Sequence, residues 1–583
     1  MTSSHGPSHT LPDWPHCAEG ADPAMDPIGC SGIRVAGRTR CLEHLTATDR
    51  TAYLASLSPG DDIDHRGTAF TEPLLDSLLA VLRDPNDGRS RFGQACFRGA
   101  AFIGKADFAH ARFDGGARFE HTSFTDEATF ENASFDGPVW FGSASFAGLA
   151  QFGGTTFSGT ARFGGAAFTG AAQFGGATFD RGVHFGGATF ADRARFARVT
   201  FSRTRRLGPM VCAAGLDLTG AVFPDSTAIE AVAASVDCPG TRWESTATLR
   251  LRYAAVDLSD AVFTQPIAIR AHHKPFTTLD ATGELHIVDE IGFSGDAGVR
   301  LTSLSGVDAA HLVLTDIDLT DCLFSGAFHV DQLRLEGHIR FRSAPTGTQR
   351  RGILPLRWSR RRTLAEEHHW RAVRTPPTDP TAPTAGEWSP GPNHPEPSLT
   401  PGPDHLAPLY RHLRKAFEDA KNEPDAADFY YGEMEMRRHD PERPRAERRL
   451  LTVYWALSGY GLRASRALLW LGGAMTVTIL AMMMWGLPNS DPKPRVTGTM
   501  PIAGQQTNLT VDNGDPRLTG STRERFSGKR AEKATRIVVN SVVFRSSGQN
   551  LTTAGTYMEM TSRFVAPALL GLAVLAIRGR VKR

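Results

Sequence analysis

Neither sign of charge prevails in this chain. Its 64 basic and 62 acidic residues leave a formal charge of +2, so no global pull toward nucleic acid or toward acidic partners is written into it. Lysine is scarce, arginine outnumbering it about seven to one, which points to a GC-rich genome more than to a function. Cysteine is scarce too. There are seven, an odd number, and no signal peptide opens the sequence, which argues for a reducing compartment and against a disulfide framework. No G-x-x-x-x-G-K-[ST] phosphate loop, G-x-S-x-G elbow or H-E-x-x-H helix occurs, so no enzyme class announces itself. At 583 residues, several domains are expected.

What the chain has instead is a period. After Phe92, Phe97 and Phe102, phenylalanine recurs alternately six and five residues on, through Phe108, Phe113, Phe119 and Phe124 to Phe190, Phe196 and Phe201. Two residues before nearly every one sits a small residue, such as Ala95, Ala106, Ala117 or Ala161, with Thr122, Val139 and Thr155 as substitutes. Residues two apart share one side of an extended chain, so each segment turns one large and one small group inward. Five-then-six spacing cannot make an amphipathic helix, which needs three and four. Glycine pairs at Gly153-Gly154, Gly164-Gly165, Gly175-Gly176 and Gly186-Gly187 follow alternate aromatics and supply corners, since glycine tolerates positive φ. A stacked β-solenoid is the fold expected.

Units such as Ala106-Asp107-Phe108-Ala109-His110 and Ala133-Ser134-Phe135-Asp136-Gly137 resemble the pentapeptide-repeat family, whose unit is Ala-x-(Leu/Phe)-x-x. The resemblance implies a right-handed, four-sided β-helix with the large residue inward. Because every second unit has six residues, four sides need about 22 residues per coil. The ladder breaks at Arg205-Arg206 and returns in couplets at Leu216–Phe223, Val256–Phe263 and Ile317–Phe324, which reads as a looser continuation with insertions.

The C-terminal part changes the class of the molecule. Ala467–Leu487 is an uncharged apolar run long enough to cross a bilayer, with Trp470 and Trp485 near its ends. Phe564–Ile577 is shorter and contains Pro567; it spans if Met558–Arg563 extends it, and otherwise lies shallowly in the membrane. Arg443, Arg445, Arg448, Arg449, Arg463 and Arg466 precede the first run, and Arg578, Arg580, Lys582 and Arg583 follow the second. Fewer basic residues adjoin the inner ends (Lys493, Arg495, Arg545, Arg563), so a cell-membrane location with both termini cytoplasmic is expected.

The organisation expected is mainly β, a pentapeptide-type β-solenoid followed by a helical hairpin and two transmembrane helices. A head covers residues 1–89, the dense solenoid 90–203 and its irregular continuation 204–345. A basic helix and a Pro-rich linker that cannot pack a core cover 346–404, and a helical hairpin 405–440. A membrane hairpin covers 441–583, with spans at 467–487 and 558–577 and a loop at 488–557. Thr46–Leu57 and Pro73–Leu82 read as short helices capping the first coil.

Three constellations carry candidate chemistry. Cys17, Cys30, Cys41 and His44 offer three thiolates and an imidazole, a tetrahedral zinc set with no position left for catalysis. A structural zinc ion is the cofactor this implies, against the plain alternative of reduced structural cysteines, and His16 is a spare ligand. Glu366-Glu367-His368-His369 looks metal-like, but adjacent helical residues diverge by about 100°. A solvated helix is expected there. His272-His273 falls in an expected loop without partners.

A non-enzymatic, membrane-tethered scaffold presenting a cytoplasmic solenoid to a protein partner accounts for this order of parts. A second copy of the chain stays open as a further partner. The alternative is a two-transmembrane pore-loop channel, its turn falling at Ser546–Thr553, where no TVGYG-like run exists. The resemblance also brings in DNA mimics that bind type II topoisomerases. Mimicry needs a dominantly acidic surface, which the ladder lacks, so no nucleic-acid function is expected.

Overall fold

The computed structural model describes residues 12–22, 25–279, 284–345, 347–351, 354–358, 361–374, 387–393, 399–488, 495–497, 510–512, 518, 521–522, 524–543 and 550–581. They divide into two compact units, Met1–Asn422 and Glu423–Arg583.

The first unit is a parallel β-solenoid of about eleven turns, its sides formed by parallel sheets of 6, 10, 9 and 12 strands. At about 4.8 Å per coil, such a stack is roughly 50 Å long. Ala106, Ala128, Ala150, Ala172 and Ala194 lie in register one above another, so the coil has the length expected from two short and two long units. Every ladder phenylalanine from Phe92 to Phe201 is at most 2% exposed. From Phe92 to Phe179 each ring stacks on its counterpart one coil on, as Phe113 does on Phe135 at 4.6 Å and Phe135 on Phe157 at 5.2 Å. Offset aromatic stacking adds about 0.5–1.5 kcal/mol per pair to the burial itself. Where threonine replaces the small inward alanine, its hydroxyl donates to the previous coil: Thr122 to the Phe97 carbonyl at 3.2 Å, Thr155 to that of Phe130 at 2.7 Å.

The corners are of two kinds. Left-handed backbone recurs every eleven residues, at Gly99, His110, His121, Asn132, Ser143 and so on to Gly187 and Arg198. This eleven-residue series falls in the five-residue units; most six-residue units turn with their extra residue instead, Gly104 and Gly182 being left-handed exceptions. The second glycine of each pair fills this position in the later coils.

After residue 206 the coil shortens. Leu216, Val236 and Val256 stack at 20-residue steps, four units of five, and strands on one side lengthen to seven residues at Arg206–Cys212 and Thr227–Ala233. An insertion between Ala271 and Val299 carries an antiparallel pair, Thr277–Leu279 with Leu285–Ile287, so the next partner of Val256 is Leu301.

Helices close both ends. In the head, α1 (Ala47–Ala55) and α2 (Glu72–Val81) flank strands that already pair with the first coil, and α2 buries Leu74, Leu75, Leu78 and Leu79. At the far end lie α3 (Ala365–Arg374) and α4 (Pro403–Asp419). Phe417 of α4 meets Phe341 edge-on at 5.7 Å, and Phe341 stacks on Phe324, the last ladder position. Residues 375–386 and 394–398 of the expected linker lie outside the described residues. The intervening segment packs after all: Trp388 is buried against His368, and Asn393 donates to the Asp321 carbonyl at 3.1 Å. One large aromatic anchors what its proline-rich surroundings read as free chain.

The second unit is helical. It comprises α5 (Glu423–His439), α6 (Arg445–Ser458), α7 (Ala464–Ala481), α8 (Gly528–Val543) and α9 (Thr553–Val581). Two helices are long and apolar enough to cross a membrane, Ala464–Gly486, which ends in a wider π-type turn, and Thr553–Arg578. The second apolar run is therefore extended on its N-terminal side and continues through Pro567. The two pack through Leu471, Ala566 and Leu569, and Gly486 touches Gly555, where a Cβ would sit 2.4 Å from the Gly486 carbonyl oxygen. Arg530 of α8 donates to the carbonyls of Met483, Leu487 and Pro488, satisfying the end of the first of them. Lys493, Arg545, Lys582 and Arg583 of the expected charge pattern lie outside the described residues.

Candidate metal centre

The head gathers all four expected ligands. Among the described residues, Cys17, Cys30, Cys41 and His44 are the one group of three or more His, Cys, Asp or Glu whose ligand atoms converge, all within 4.8 Å of one another. Backbone hydrogen bonds bring them there. Cys17 N–H donates to the Gly32 carbonyl at 2.8 Å and Ala18 N–H to that of Cys30 at 3.0 Å, pairing the first two ligand segments. A tight turn in which His44 N–H donates to the Cys41 carbonyl at 3.0 Å lets Cys41 and His44 face the same point. Gly32 passes close behind, and a Cβ there would lie 2.8 Å from Cys41 Cβ.

The distances suit a metal. Cys30 Sγ lies 3.6 Å from Cys41 Sγ, and Cys41 Sγ lies 3.3 Å from His44 Nδ1. A tetrahedral zinc site with Zn–S of about 2.3 Å and Zn–N of about 2.0 Å has edges of roughly 3.5–3.8 Å. All seven cysteines are free thiols. The Cys41 thiol, bonded to Cys30 Sγ, holds Cys30 below the ordinary thiol range; the same bond and burial push Cys41 up. A bound cation would draw the protons from both thiols, since thiolates are the ligands it takes. His16 is not in the group; its carbonyl accepts from Arg34.

The Glu366–His369 run is a second polar centre, and it is not solvated. Glu366, Glu367, His368 and His369 are all buried. Glu366 Oε1 accepts from the Phe324 and Ser325 amides at 2.5 and 3.1 Å, closing the last coil. Glu367 sits between Arg361 and Arg371, each 2.5–2.7 Å away, and accepts from Tyr410 Oη. His368 Nε2 lies 2.9 Å from Thr363 Oγ1. Burial pushes Glu366 up to about 7, whereas the arginines prevail over burial and hold Glu367 down. Sequence reasoning missed this because the Phe324 and Ser325 amides and Tyr410, which complete the network, lie more than forty residues away. His272 stacks on Phe276 at 4.7 Å, and His273 reaches Asp316 at 3.4 Å beside a cavity of about 720 Å³.

On one side of the rod, the outward residues of successive coils form a column, Arg118, Trp140, Arg162 and His184. The Arg118 guanidinium lies 5.4 Å over the Trp140 ring. Sequence reasoning missed it as well, though stepping one full coil at a time along an outward position finds it. Ser546–Gln549 of the expected pore turn lie outside the described residues.

The family model for pentapeptide repeats, nine copies, matches residues 88–134 and 119–167. No curated protein and no solved structure matches the chain.

Proposed function

We propose that this chain, whose rod is a pentapeptide-repeat solenoid, is a non-enzymatic scaffold tethered to the cell membrane by α7 and α9. Both termini and the solenoid face the cytoplasm in this reading. A zinc ion held by Cys17, Cys30, Cys41 and His44 fixes the head structurally, all four positions being taken by protein. The observation that carries the scaffold reading is the outward column on an unbroken parallel stack. Arg118, Trp140 and Arg162 stand at strand spacing on rigid backbone, a basic and aromatic stripe of the composition that anchors protein interfaces. The partner that fits is an acidic protein segment with apolar side chains.

The test is cross-linking in native membranes with the full-length chain, comparing the wild type with an Arg118→Glu/Trp140→Ala/Arg162→Glu triple variant. These side chains point outward, so the solenoid's far-UV circular dichroism should be unchanged. The scaffold reading expects the triple variant to lose its cross-linked partners at least tenfold. Identical cross-links in both proteins would sink it.

A further inference from the structure

In the second unit, α6 carries an exposed face that its packing leaves unexplained. One side of α6 buries Leu451 and packs Tyr454 and Trp455 against α5, with Trp455 Nε1 donating to Tyr431 Oη at 3.0 Å. On another side, Leu450 is 70% and Val453 55% exposed. Leu450, Val453 and Leu457 share one helical face by their spacing. Leu457 packs against Leu471, Ala566 and Leu569, so this apolar stripe runs into the packed base of α7 and α9.

The helix is set apart from the span that follows it. Left-handed Gly459, Tyr460 and Gly461 break the chain between them. Arg466 and Trp470 then fold back to donate to the Trp455 and Ala456 carbonyls at 3.2 and 3.1 Å, fixing α6 against the first turns of α7. The exposed charge on α6 has one sign. Glu447 is taken by Arg437 and Arg443, and neither Arg445 nor Arg449 meets a carboxylate among the described residues.

We propose that α6 is an interfacial helix that lies on a membrane surface bearing anionic phospholipids. Leu450 and Val453 enter the acyl boundary, and Arg445 and Arg449 reach the headgroup phosphates. Continuity with the two apolar helices, together with uncompensated positive charge beside exposed leucine and valine, favours a lipid surface over a protein groove. The inference rests on the reading of α7 and α9 as membrane spans.

The test is hydrogen exchange of the full chain in nanodiscs of phosphatidylcholine alone or with about one-third phosphatidylglycerol. Amides over residues 446–457 should exchange at least tenfold more slowly with the anionic lipid, since each arginine near such a surface is worth about fivefold. Arg445→Gln/Arg449→Gln should abolish that difference, and Leu450→Gln/Val453→Gln should speed exchange in both lipids. If α7 and α9 are protected while α6 exchanges equally in the two lipids, the proposal is overturned and the spans stand. If α7 and α9 are themselves unprotected, both readings fall.

Discussion

At its N-terminal end the solenoid is closed by α2, which buries four leucines, behind a knot of three cysteines and a histidine. At its C-terminal end it is closed by α3, which buries two glutamates and two histidines. Both solutions cover the same exposed coil edge, where unpaired backbone would otherwise invite another chain. They differ in what the closure depends on. Apolar burial holds with little regard to pH, whereas a buried ionic network holds only while each charge keeps its partner.

Removing the metal should separate the ends most sharply. Structural zinc contributes on the order of 10 kcal/mol in small modules. A strong chelator, or Cys30→Ser, should therefore abolish amide protection over residues 15–45 and leave 361–374 unchanged in hydrogen exchange. Unaltered protection of the head would show that its leucines and backbone suffice without a metal.

The far end should break through Glu367. Glu367→Ala leaves Arg361 and Arg371 buried without their counter-charge, which costs about 3–5 kcal/mol. Urea unfolding of the full chain, read by exchange over 361–374, should show the loss there and none over 63–82.

Acidity should also act on the far end through its two glutamates. Glu366 is held up to about 7, above its unfolded value of about 4.3. The fold thus favours the protonated form, and this group's contribution declines as pH rises through that window and stays low above it. Glu366→Gln keeps an acceptor for the Phe324 and Ser325 amides and should stabilise the C-terminal end by about 3–4 kcal/mol at pH 8, with little effect at pH 4. Glu367 runs the other way. Its depressed pKa means its contribution is present above about 4.3 and fades as pH falls below it. Stability against pH for the two single variants measures both signs.

The middle of the rod supplies the baseline. At Gly176 a Cβ would touch nothing, but φ is +71°, so Gly176→Ala should cost only about 1 kcal/mol, from backbone strain alone. Thermal unfolding should show this small shift, well below the effect of Cys30→Ser or Glu367→Ala at neutral pH.

The two ends also differ in how far the sequence discloses them. Cys17, Cys30, Cys41 and His44 are rare residue types, so the sequence could name them as a group, with a shared ion set beside reduced structural cysteines, and the structure brings their ligand atoms within 4.8 Å of one another. The Phe ladder was legible for the same reason: one side-chain type at one period leaves one fold. Glu366–His369 was not legible: charged helical residues usually face water, and although Arg361 and Arg371 are near Glu367 in sequence, Tyr410 and the Phe324 amide, which come with its burial, are over forty residues away. The shorter coil of the later turns was visible only as scattered couplets, since leucine, valine and isoleucine take over the inward positions and the aromatic signal fades. The two long apolar helices of the C-terminal part were readable by length and apolarity, but the exposed face of α6 depends on which side α5 covers.

The change of coil length partway along the rod has a consequence for addressing. A rod of identical coils looks the same after a shift of one strand spacing, so a partner reading its side could slip by a rung at little cost. The junction near residue 206, followed by the insertion before Val299, abolishes that translational symmetry. It works as the zero mark on a ruler. A ligand long enough to touch both gauges has a single register and a single direction along the rod.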